Sequence, residues 1–364
     1  MKKTLAILIV LIMIIGMMTG CGSTQDAEQN QTIAISDEVE SVSVARPGLD
    51  IKIATIIVAD ALGYFEEENV DVSFEQVADL ATGLTSVSEG KIDVLPFGCI
   101  PSCSFISQGT DVVIFGGTIA EGSECITKAE NKDKYKDAED FKGAKIGCFR
   151  METGHMVMKG WLREQGLDVD KDVEWVYLDS MQSEVEAVEK GEVDMCFVNS
   201  GFGFVAGQSE EVAVAFQVGD YVQNFPCCRM TTSRQARNEK ASALTKFMIA
   251  DLRAYETILN DKDTTIKVLA EYSGQPEAYV ENVIYGTENY DAAMIINLDP
   301  STNAVADFYE TMKLNGDIDA ETAYDINDYM DTAVYETALS TLIERDKDNE
   351  LWSKLYEEFK SKND

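Results

Sequence analysis

The stretch Lys145–His155, KIGCFRMETGH, decides how the rest of the sequence is interpreted. Its apolar run, Ile146–Phe149, predicts a buried strand that ends in a polar turn. Thr153 is the predicted N-cap of a following helix, because its hydroxyl can accept hydrogen bonds from first-turn amides. Gly154 lets a ligand approach the backbone, and His155, the only histidine, lies in the first turn. A helix start with free amides at the end of a strand is typical of an anion-binding site.

The pattern that continues from this stretch occurs a second time, at an offset of about 97 to 101 residues. The segment GWLREQGLDV at 160–169 matches GYFEEENVDV at 63–72. Further along, VEKGEVDM at 188–195 matches VSEGKIDV at 87–94. A repeat of domain size predicts two similar lobes and not a solenoid.

The first 20 residues are predicted to be a lipoprotein signal peptide. Two lysines precede the apolar segment Leu5–Met18, which is too short for a stable membrane span. Cys21 follows in a pattern that resembles the bacterial lipobox, and it is the predicted lipidation site. Residues 21–48 predict a disordered tether, because the run is polar and has no aromatic residue. An ordinary secretory signal with an incidental cysteine is the alternative interpretation.

The composition excludes some classes of function. A formal net charge of −35 leaves no basic patch to neutralise phosphates, so a nucleic-acid partner is not expected. The eight cysteines become an odd number once Cys21 is lipidated, and Cys99, Cys125, Cys148 and Cys196 are predicted to be small buried side chains. Without a C-x-x-C pattern and with one histidine, no metal site and no cofactor are expected.

Predicted strands and helices alternate, which indicates an α/β fold with mainly parallel sheets. The first lobe is predicted to begin with a strand at residues 49–57, and the helical patterns after residue 230 are expected to pack mainly on that lobe. The predicted domains are residues 49–126 plus 230–364 for lobe one and residues 127–229 for lobe two. Ligands bind beyond the carboxyl ends of strands in such sheets, so the cleft between the lobes is the expected site.

The chain resembles the solute-binding proteins of the nitrate, sulfonate and taurine class, some relatives of which bind pyrimidine precursors of thiamine. The resemblance covers residues 49–300. Its carriers are GYFEEENVDV (63–72), GKIDV (90–94), GAKIG (143–147), TGH (153–155), GEVD (191–194) and PCCR (226–229). It implies a periplasmic-binding-protein-like type II fold, with two lobes around a cleft and a helix-rich C-terminal part.

The resemblance also implies a role. Such proteins are extracytoplasmic receptors that close on a small molecule and deliver it to an ABC import permease and its ATPase. A lipid anchor fits this role, and a monomer is expected. Closure is expected to use hinges at Cys125–Lys128 and Pro226–Met230.

The family's binding positions lie in loops that match this sequence. The predicted ligand-binding residues are Asp60, Asp79, Thr82, Phe97, Gly98, Thr118, Glu152, Thr153, Gly154, His155, Asp179, Asn199 and Phe202. The ligand is expected to be a sulfonate, an N-heterocycle or a zwitterion. Carboxylates at Asp60 and Asp79 favour a cationic or N–H-bearing end, with the anionic or polar end at the start of the helix that follows Thr153. Phe97, Phe202 and Tyr221 are candidates to stack on it.

Several alternatives stay open. Asp60 and Asp79 are interpreted equally well as helix N-caps, and Phe97 and Phe202 as core residues. The neighbours Cys227 and Cys228 form either a reactive pair or part of a strand with one thiol on each face.

Two other functions compete with solute binding. One is an enzyme related to thiamine-pyrimidine synthesis, although only the cysteine pair echoes such a motif, and no enzymatic activity is expected. The other is a ligand sensor that works without a transporter.

Overall fold

The computed structural model describes residues 33–150, 152–288, 290–291 and 294–363. The predicted signal peptide and Cys21 lie outside these residues. The strands are β1 (Glu40–Arg46), β2 (Val70–Gln76), β3 (Val112–Glu121), β4 (Ser123–Lys128), β5 (Lys145–Cys148), β6 (Glu174–Tyr177), β7 (Met195–Asn199), β8 (Val212–Gln217), β9 (Pro226–Ser233) and β10 (Met294–Ile296). No helix in the described part of the chain is both long and apolar enough to span a membrane.

The helices alternate with these strands and then dominate the C-terminal part. They are α1 (Ala54–Ala61), α2 (Tyr64–Glu67), α3 (Leu80–Ser88), α4 (Cys99–Ile106), α5 (Thr153–Glu164), α6 (Met181–Lys190), α7 (Phe202–Ala206), α8 (Arg234–Glu239), α9 (Ala241–Asn260), α10 (Lys262–Ser273), α11 (Glu277–Tyr285), α12 (Thr302–Asn315), α13 (Ala333–Arg345) and α14 (Glu350–Asn363).

The first sheet is built from β1, β2, β3, β9 and β10. β1 and β2 run parallel, whereas β3 runs antiparallel to both β9 and β10. Single bridges from Val94 to Val44 and from Leu95 to Thr231 connect the two groups of strands. The order across the first sheet is therefore β2, β1, residues 94–95, β9, β3 and β10.

The second sheet contains five strands in the order β6, β5, β7, β4, β8. If residues 94–95 are counted as a strand, the first five positions of the first sheet follow the same plan. In both sheets the fourth position is taken by a strand, β9 or β4, that enters from the other sheet. This shared order is the structural counterpart of the sequence repeat.

The prediction of mainly parallel sheets is wrong, because both sheets are mixed. β5 pairs in parallel with β6 and β7, but β4 pairs antiparallel with β7 and β8. The cause is the route of the chain. A strand that crosses over from the other sheet begins at the end of the sheet where its neighbours finish, so it runs antiparallel to them.

The strand predicted at residues 49–57 is also wrong. Residues 51–53 form a 3₁₀ turn, and α1 follows it with six consecutive buried residues, Ala54–Ala59. The first strand is instead β1, inside the predicted tether, where Val42 and Val44 are fully buried. A short apolar run buried on all sides has no periodicity that separates helix from strand, so tertiary packing decided the outcome.

The C-terminal helices contact both halves of the molecule. α9 packs against α1 and α13, whereas α12 packs against α5, which follows β5 of the second sheet. Asn315 of α12 donates to the Met156 carbonyl of α5 at 3.0 Å and accepts from Arg163. Between α12 and α13 the chain forms a 3₁₀ turn at residues 326–329.

The two crossings between the sheets lie side by side. Glu121 and Gly122 join β3 to β4 with φ angles of 59° and 80°, and Asn224 before β9 has a φ of 59°. The Asn224 amide donates to the Glu121 carboxylate at 2.9 Å, and the Glu121 amide donates to the Phe225 carbonyl at 2.8 Å. The predicted hinges at Cys125–Lys128 and Pro226–Met230 lie inside β4 and β9, so the left-handed residues just before them are the better hinge candidates.

Candidate functional site

Five polar or ionisable side chains from both sheets lie close together where the chain crosses from one sheet to the other. Lys52 follows β1, Ser123 and Glu124 begin β4, and Glu152 and His155 follow β5. All five are buried, with Glu124 fully buried and Lys52 9% exposed. We call these five residues the cleft cluster. Buried ionisable groups on this scale are uncommon away from functional sites.

Glu152 is the best-connected member of the cleft cluster. Its carboxylate accepts hydrogen bonds from the backbone amides of Gly154 at 2.8 Å and His155 at 2.9 Å. The Ser123 hydroxyl donates to the same carboxylate, and His155 Nδ1 lies 3.6 Å from it. Glu152 is thus the N-cap of α5, and the prediction of Thr153 as the cap is wrong. The longer Glu152 side chain folds back over the first turn, which ranking by residue type does not anticipate.

The surroundings keep Glu152 ionised. Burial alone would raise the pKa of this carboxyl, but the nearby His155 imidazole, the Ser123 hydroxyl and the Gly154 amide together hold it below its ordinary value. A buried negative charge is therefore fixed at the start of α5.

Glu124 links the second sheet to the segment that leads into β10. Its carboxylate accepts from the Gly201 amide at 2.8 Å and from the Tyr290 hydroxyl. Burial raises the pKa of Glu124 to about 7, although the bonds from Tyr290 and Gly201 and the charge of Lys52 oppose this shift. Tyr290 precedes β10 of the first sheet, so this contact holds the two halves together.

Lys52 carries the positive charge of the cleft cluster. Its ammonium nitrogen lies 4.0 Å from the Asp50 carboxylate. Burial alone would lower the pKa of Lys52, but Asp50, followed by Cys227, Cys228 and Glu152, raises it above the ordinary value. The side chain is thus a buried cation near acidic groups that come from several segments of the chain.

Cys227 and Cys228 lie beside Lys52 and are both buried. Their sulfur atoms are 4.0 Å apart, at a register irregularity between β9 and β3. The interpretation with one thiol on each face is therefore wrong, because the irregularity turns both thiols to the same side. The hydrogen bond from Cys227 lowers the pKa of the Cys228 thiol to about 7, against burial and with help from Lys52.

A further buried carboxyl lies near Glu152. Glu184 of α6 is fully buried, and in the described part of the chain neither of its carboxyl oxygens has a hydrogen-bond partner. Burial, together with the charge of Glu152, raises the pKa of Glu184 to about 9.

The structure brings some of the predicted ligand residues together. Glu152, Thr153, Gly154 and His155 are all buried at the start of α5. The next three lie on the first-sheet side: Phe97 and Thr118 are buried, and Gly98 is half-buried next to Cys228. Their contact with a ligand stays a prediction.

Other predicted residues differ in their exposure. Asp60, Asp79, Thr82 and Asp179 are exposed, whereas Asn199 and Phe202 are half-buried. Asn199 pairs with Ser123 of the cleft cluster across β7 and β4, and Phe202 follows Gly201, whose amide donates to Glu124. Asp79 is the N-cap of α3 and accepts from the Thr82 amide at 2.7 Å, as its alternative interpretation had it. Asp60 is not an N-cap, since it lies in the last turn of α1.

Tyr221 packs among aromatic side chains of the second half of the molecule. Its ring lies 4.7 Å from that of Trp161 and 4.8 Å from that of Phe216, centroid to centroid, and its hydroxyl donates to the Tyr135 carbonyl at 3.0 Å. Phe97 also packs in the main core, which agrees with its alternative interpretation.

Sequence reasoning missed Lys52, Ser123, Glu124 and Tyr290. Lys52 was hidden because its segment was interpreted as a strand, in which a lysine is ordinarily a solvated residue. Ser123 and Glu124 follow Gly122, and a glycine after an apolar strand pattern is a sequence signal of a turn. In the structure Gly122 has the left-handed backbone of such a turn. Among the described residues, no group of three or more His, Cys, Asp or Glu side chains is placed to hold a metal ion.

Comparison with known families gives a match over most of the chain. Residues 50–265 match a family model described as NMT1/THI5 like. No match is found among proteins with curated functions.

Several solved structures share the fold at low sequence identity. The periplasmic aliphatic sulphonate binding protein SsuA from Escherichia coli matches with a TM-score of 0.64 at 17% identity, covering 79% of this chain and 91% of that one. The periplasmic nitrate-binding protein NrtA from Synechocystis PCC 6803 matches with a TM-score of 0.66 at 14% identity, covering 85% and 90%. A putative sulfonate-binding SsuA from Methylobacillus flagellatus KT matches with a TM-score of 0.66 at 16% identity, covering 84% and 96%. The expected periplasmic-binding-protein-like fold is thereby confirmed.

Proposed function

Because the chain belongs to the NMT1/THI5-like family, we propose that it is an extracytoplasmic receptor that captures a small polar solute between its two sheets. The observation that carries this proposal is the cleft cluster, where a buried lysine from the first-sheet side faces buried glutamates at the second sheet. Burying several charges is costly unless they pair with one another or with a ligand. The structural neighbours named as sulfonate- and nitrate-binding proteins support the same role.

Closure of the two halves is the proposed mechanism of capture. The lobes turn about Glu121–Gly122 and Asn224, which lie a few residues before the predicted domain limits at 126 and 229. Opening separates Glu124 from Tyr290 and exposes the cleft cluster to solvent. A ligand then stabilises the closed form because only there does it contact both halves.

Delivery to an ABC permease and its ATPase completes the proposed role. Lipidation at Cys21 would keep the receptor on the outer face of the membrane, and a monomer is sufficient for capture.

The test is capture by the full chain, purified in detergent and incubated with an extract of small metabolites. Native mass spectrometry is expected to show one bound molecule per chain. Lys52→Met should abolish retention, whereas Lys91→Ala, which removes an exposed lysine paired with Glu89, should retain the ligand. If the wild-type chain retains nothing, or if Lys52→Met retains as much as the wild type, the proposal is wrong.

An enzyme is the second candidate, favoured by one observation. The Cys228 sulfur lies 4.0 Å from that of Cys227 and beside Lys52, and these neighbours lower the pKa of its thiol, which suits a nucleophile. Cys228→Ser distinguishes the two functions: a binding protein keeps its bound molecule unchanged in mass, whereas an enzyme would convert the molecule only when Cys228 is present.

A further inference from the structure

We propose that the Glu152 carboxylate occupies the place where an oxyanion would bind at the start of α5, so that the ligand presents a cationic nitrogen group to this carboxylate. The inference rests on the proposed function, since it names the class of solute captured at the same site. It makes Glu152 a specificity-determining residue.

The amides that would bind an oxyanion are already engaged. A helix start binds anions through free backbone N–H groups and the positive end of the helix dipole. In α5 the Gly154 and His155 amides both donate to Glu152, at 2.8 and 2.9 Å. The Ser123 hydroxyl, which could serve an oxyanion from the opposite side, donates to the same carboxylate.

There is also no room for a second anion behind this carboxylate. A Cβ atom added at Gly154 would lie 3.0 Å from the Glu152 carboxylate and closer still to Ser123. The backbone is thus packed directly against the side chain that caps it. An oxyanion could reach these amides only by displacing a carboxylate that belongs to the chain itself.

Buried groups without partners extend the acidic side of the cleft. His155 Nδ1 is 1% exposed and makes no hydrogen bond with any described residue, although it lies 3.6 Å from Glu152. Both carboxyl oxygens of Glu184 are likewise buried without a partner among the described residues. Buried polar groups are ordinarily hydrogen-bonded, and a ligand with N–H groups can donate to an acceptor oxygen of Glu184.

The signs of the charges point the same way. Glu124 and Glu152 belong to the second sheet and the turn that follows β5, and Lys52 belongs to the first-sheet side. An anion at the start of α5 would lie against a buried carboxylate in a medium of low dielectric, where repulsion is strong. A cationic nitrogen gains there, and Lys52 remains free to bind a polar or anionic end of the same molecule.

The experiment compares two probes of opposite charge on the full chain in detergent by titration calorimetry. Ethanesulfonate represents the oxyanions and benzamidinium the cationic nitrogens. Glu152→Ala frees both amides, and Glu152→Gln keeps the shape and the acceptor oxygen without the charge. The control is Asp261→Ala, which removes a carboxylate N-cap from α10, where Asp261 accepts from the Thr264 amide at 3.1 Å.

We expect Glu152→Ala to bind ethanesulfonate roughly tenfold more tightly than the wild type, and Glu152→Gln to bind benzamidinium roughly tenfold more weakly, with Asp261→Ala like the wild type for both. Circular dichroism confirms that each variant is folded. Wild-type binding of ethanesulfonate that Glu152→Ala leaves unchanged or weakens would overturn the inference, as would equal benzamidinium binding by the wild type and Glu152→Gln.

The same data separate this inference from the proposed function. If the wild type retains an oxyanion from the metabolite extract, the receptor role stands and the inference about Glu152 falls. If the wild type retains nothing but Glu152→Ala gains ethanesulfonate binding, the role of the carboxylate stands and the receptor function falls.

Discussion

At the scale of single residues, two buried carboxyl groups outside the cleft cluster govern how stability depends on pH. Burial raises the pKa of Glu184 to about 9 and that of Asp251 to about 8, from ordinary values of 4.5 and 3.8. The folded chain therefore binds more protons than the unfolded chain between those limits. Their contribution to stability is fully present below the ordinary pKa and is lost as the pH rises toward the folded-state pKa.

Glu184→Gln should remove one part of this dependence. The amide stays neutral, so we expect the melting temperature of the variant to exceed that of the wild type increasingly as the pH rises from 5 to about 9. Differential scanning calorimetry across this range measures the difference. Glu89→Gln, which changes an exposed side chain, is the control and should run parallel to the wild type. A constant offset between Glu184→Gln and the wild type would contradict the prediction.

Glu68 is the carboxylate of a partly buried ion network. It accepts from Arg253 and Arg345, each at 2.7 Å, and its side chain is 6% exposed. Glu68→Ala should lower the free energy of unfolding by about 2 kcal/mol, because it leaves two arginines without this partner, although both are partly solvated. Urea unfolding measures the loss. Glu89→Ala breaks an exposed pair with Lys91 and should change stability by less than about 0.5 kcal/mol; equal losses in both variants would refute the argument.

Among the predicted ligand residues, those that the structure groups at the start of α5 are next to one another in the chain. Glu152 to His155 follow a strand and open a helix, and local rules suffice to find such a start. Lys52 and Tyr290 come close to Glu124 only through the crossing of the chain between sheets. No local spacing encodes that meeting, so the cleft cluster as a whole was not predictable from the sequence.

At the scale of elements, the crossing between β3 and β4 depends on one glycine. Gly122 has a φ of 80°, and a Cβ atom there would lie 3.0 Å from Ile119 and 3.3 Å from Cys227. Gly122→Ala should lower the free energy of unfolding by about 2 kcal/mol, through backbone strain and contact together.

Gly143→Ala separates the two causes. Its φ is 76°, but a Cβ atom there meets nothing within 4 Å, so only the backbone strain of about 1 kcal/mol should remain. Both values are measured by urea unfolding. If the two variants lose the same free energy of unfolding, the packing around Gly122 contributes nothing to stability.

Elements whose sequence pattern matched their burial were predicted well, including β5 and α5. Those predicted badly were β1 and α1, where burial reversed the local signal. The polar residues around Val42 and Val44 resembled a tether, yet β1 pairs with β2 along its whole length. The isoleucines and valine of α1 favoured a strand, yet they are buried on every side of a helix.

At the scale of the whole molecule, α12 ties the C-terminal part to the second sheet through α5. Asn315→Ala removes the hydrogen bond to the Met156 carbonyl and the contact with Arg163. Amides of α5 are expected to exchange with solvent roughly tenfold faster, since this local contact restrains the helix. Hydrogen exchange read by mass spectrometry checks the change. Lys347→Ala, at an exposed position beyond α13, should leave α5 unchanged, and unaltered exchange in Asn315→Ala would show that α12 does not restrain it.

The two-lobed plan could be predicted because the sequence repeat encodes it. The contacts between the two halves could not be predicted. The repeat encodes the order of strands within each unit. Contacts between units, such as α12 with α5 and Tyr290 with Glu124, depend on segments outside the repeat.

Because the two sheets share a strand order, the charges in their equivalent loops can be compared. A common topology with a matching sequence pattern points to duplication of one ancestral unit. Two identical copies brought face to face would carry the same charge in equivalent loops and would repel each other. Lys52, after β1, and Glu152, after β5, occupy such loops with opposite signs. The equivalent loops of the two units therefore attract each other, whereas identical loops would repel.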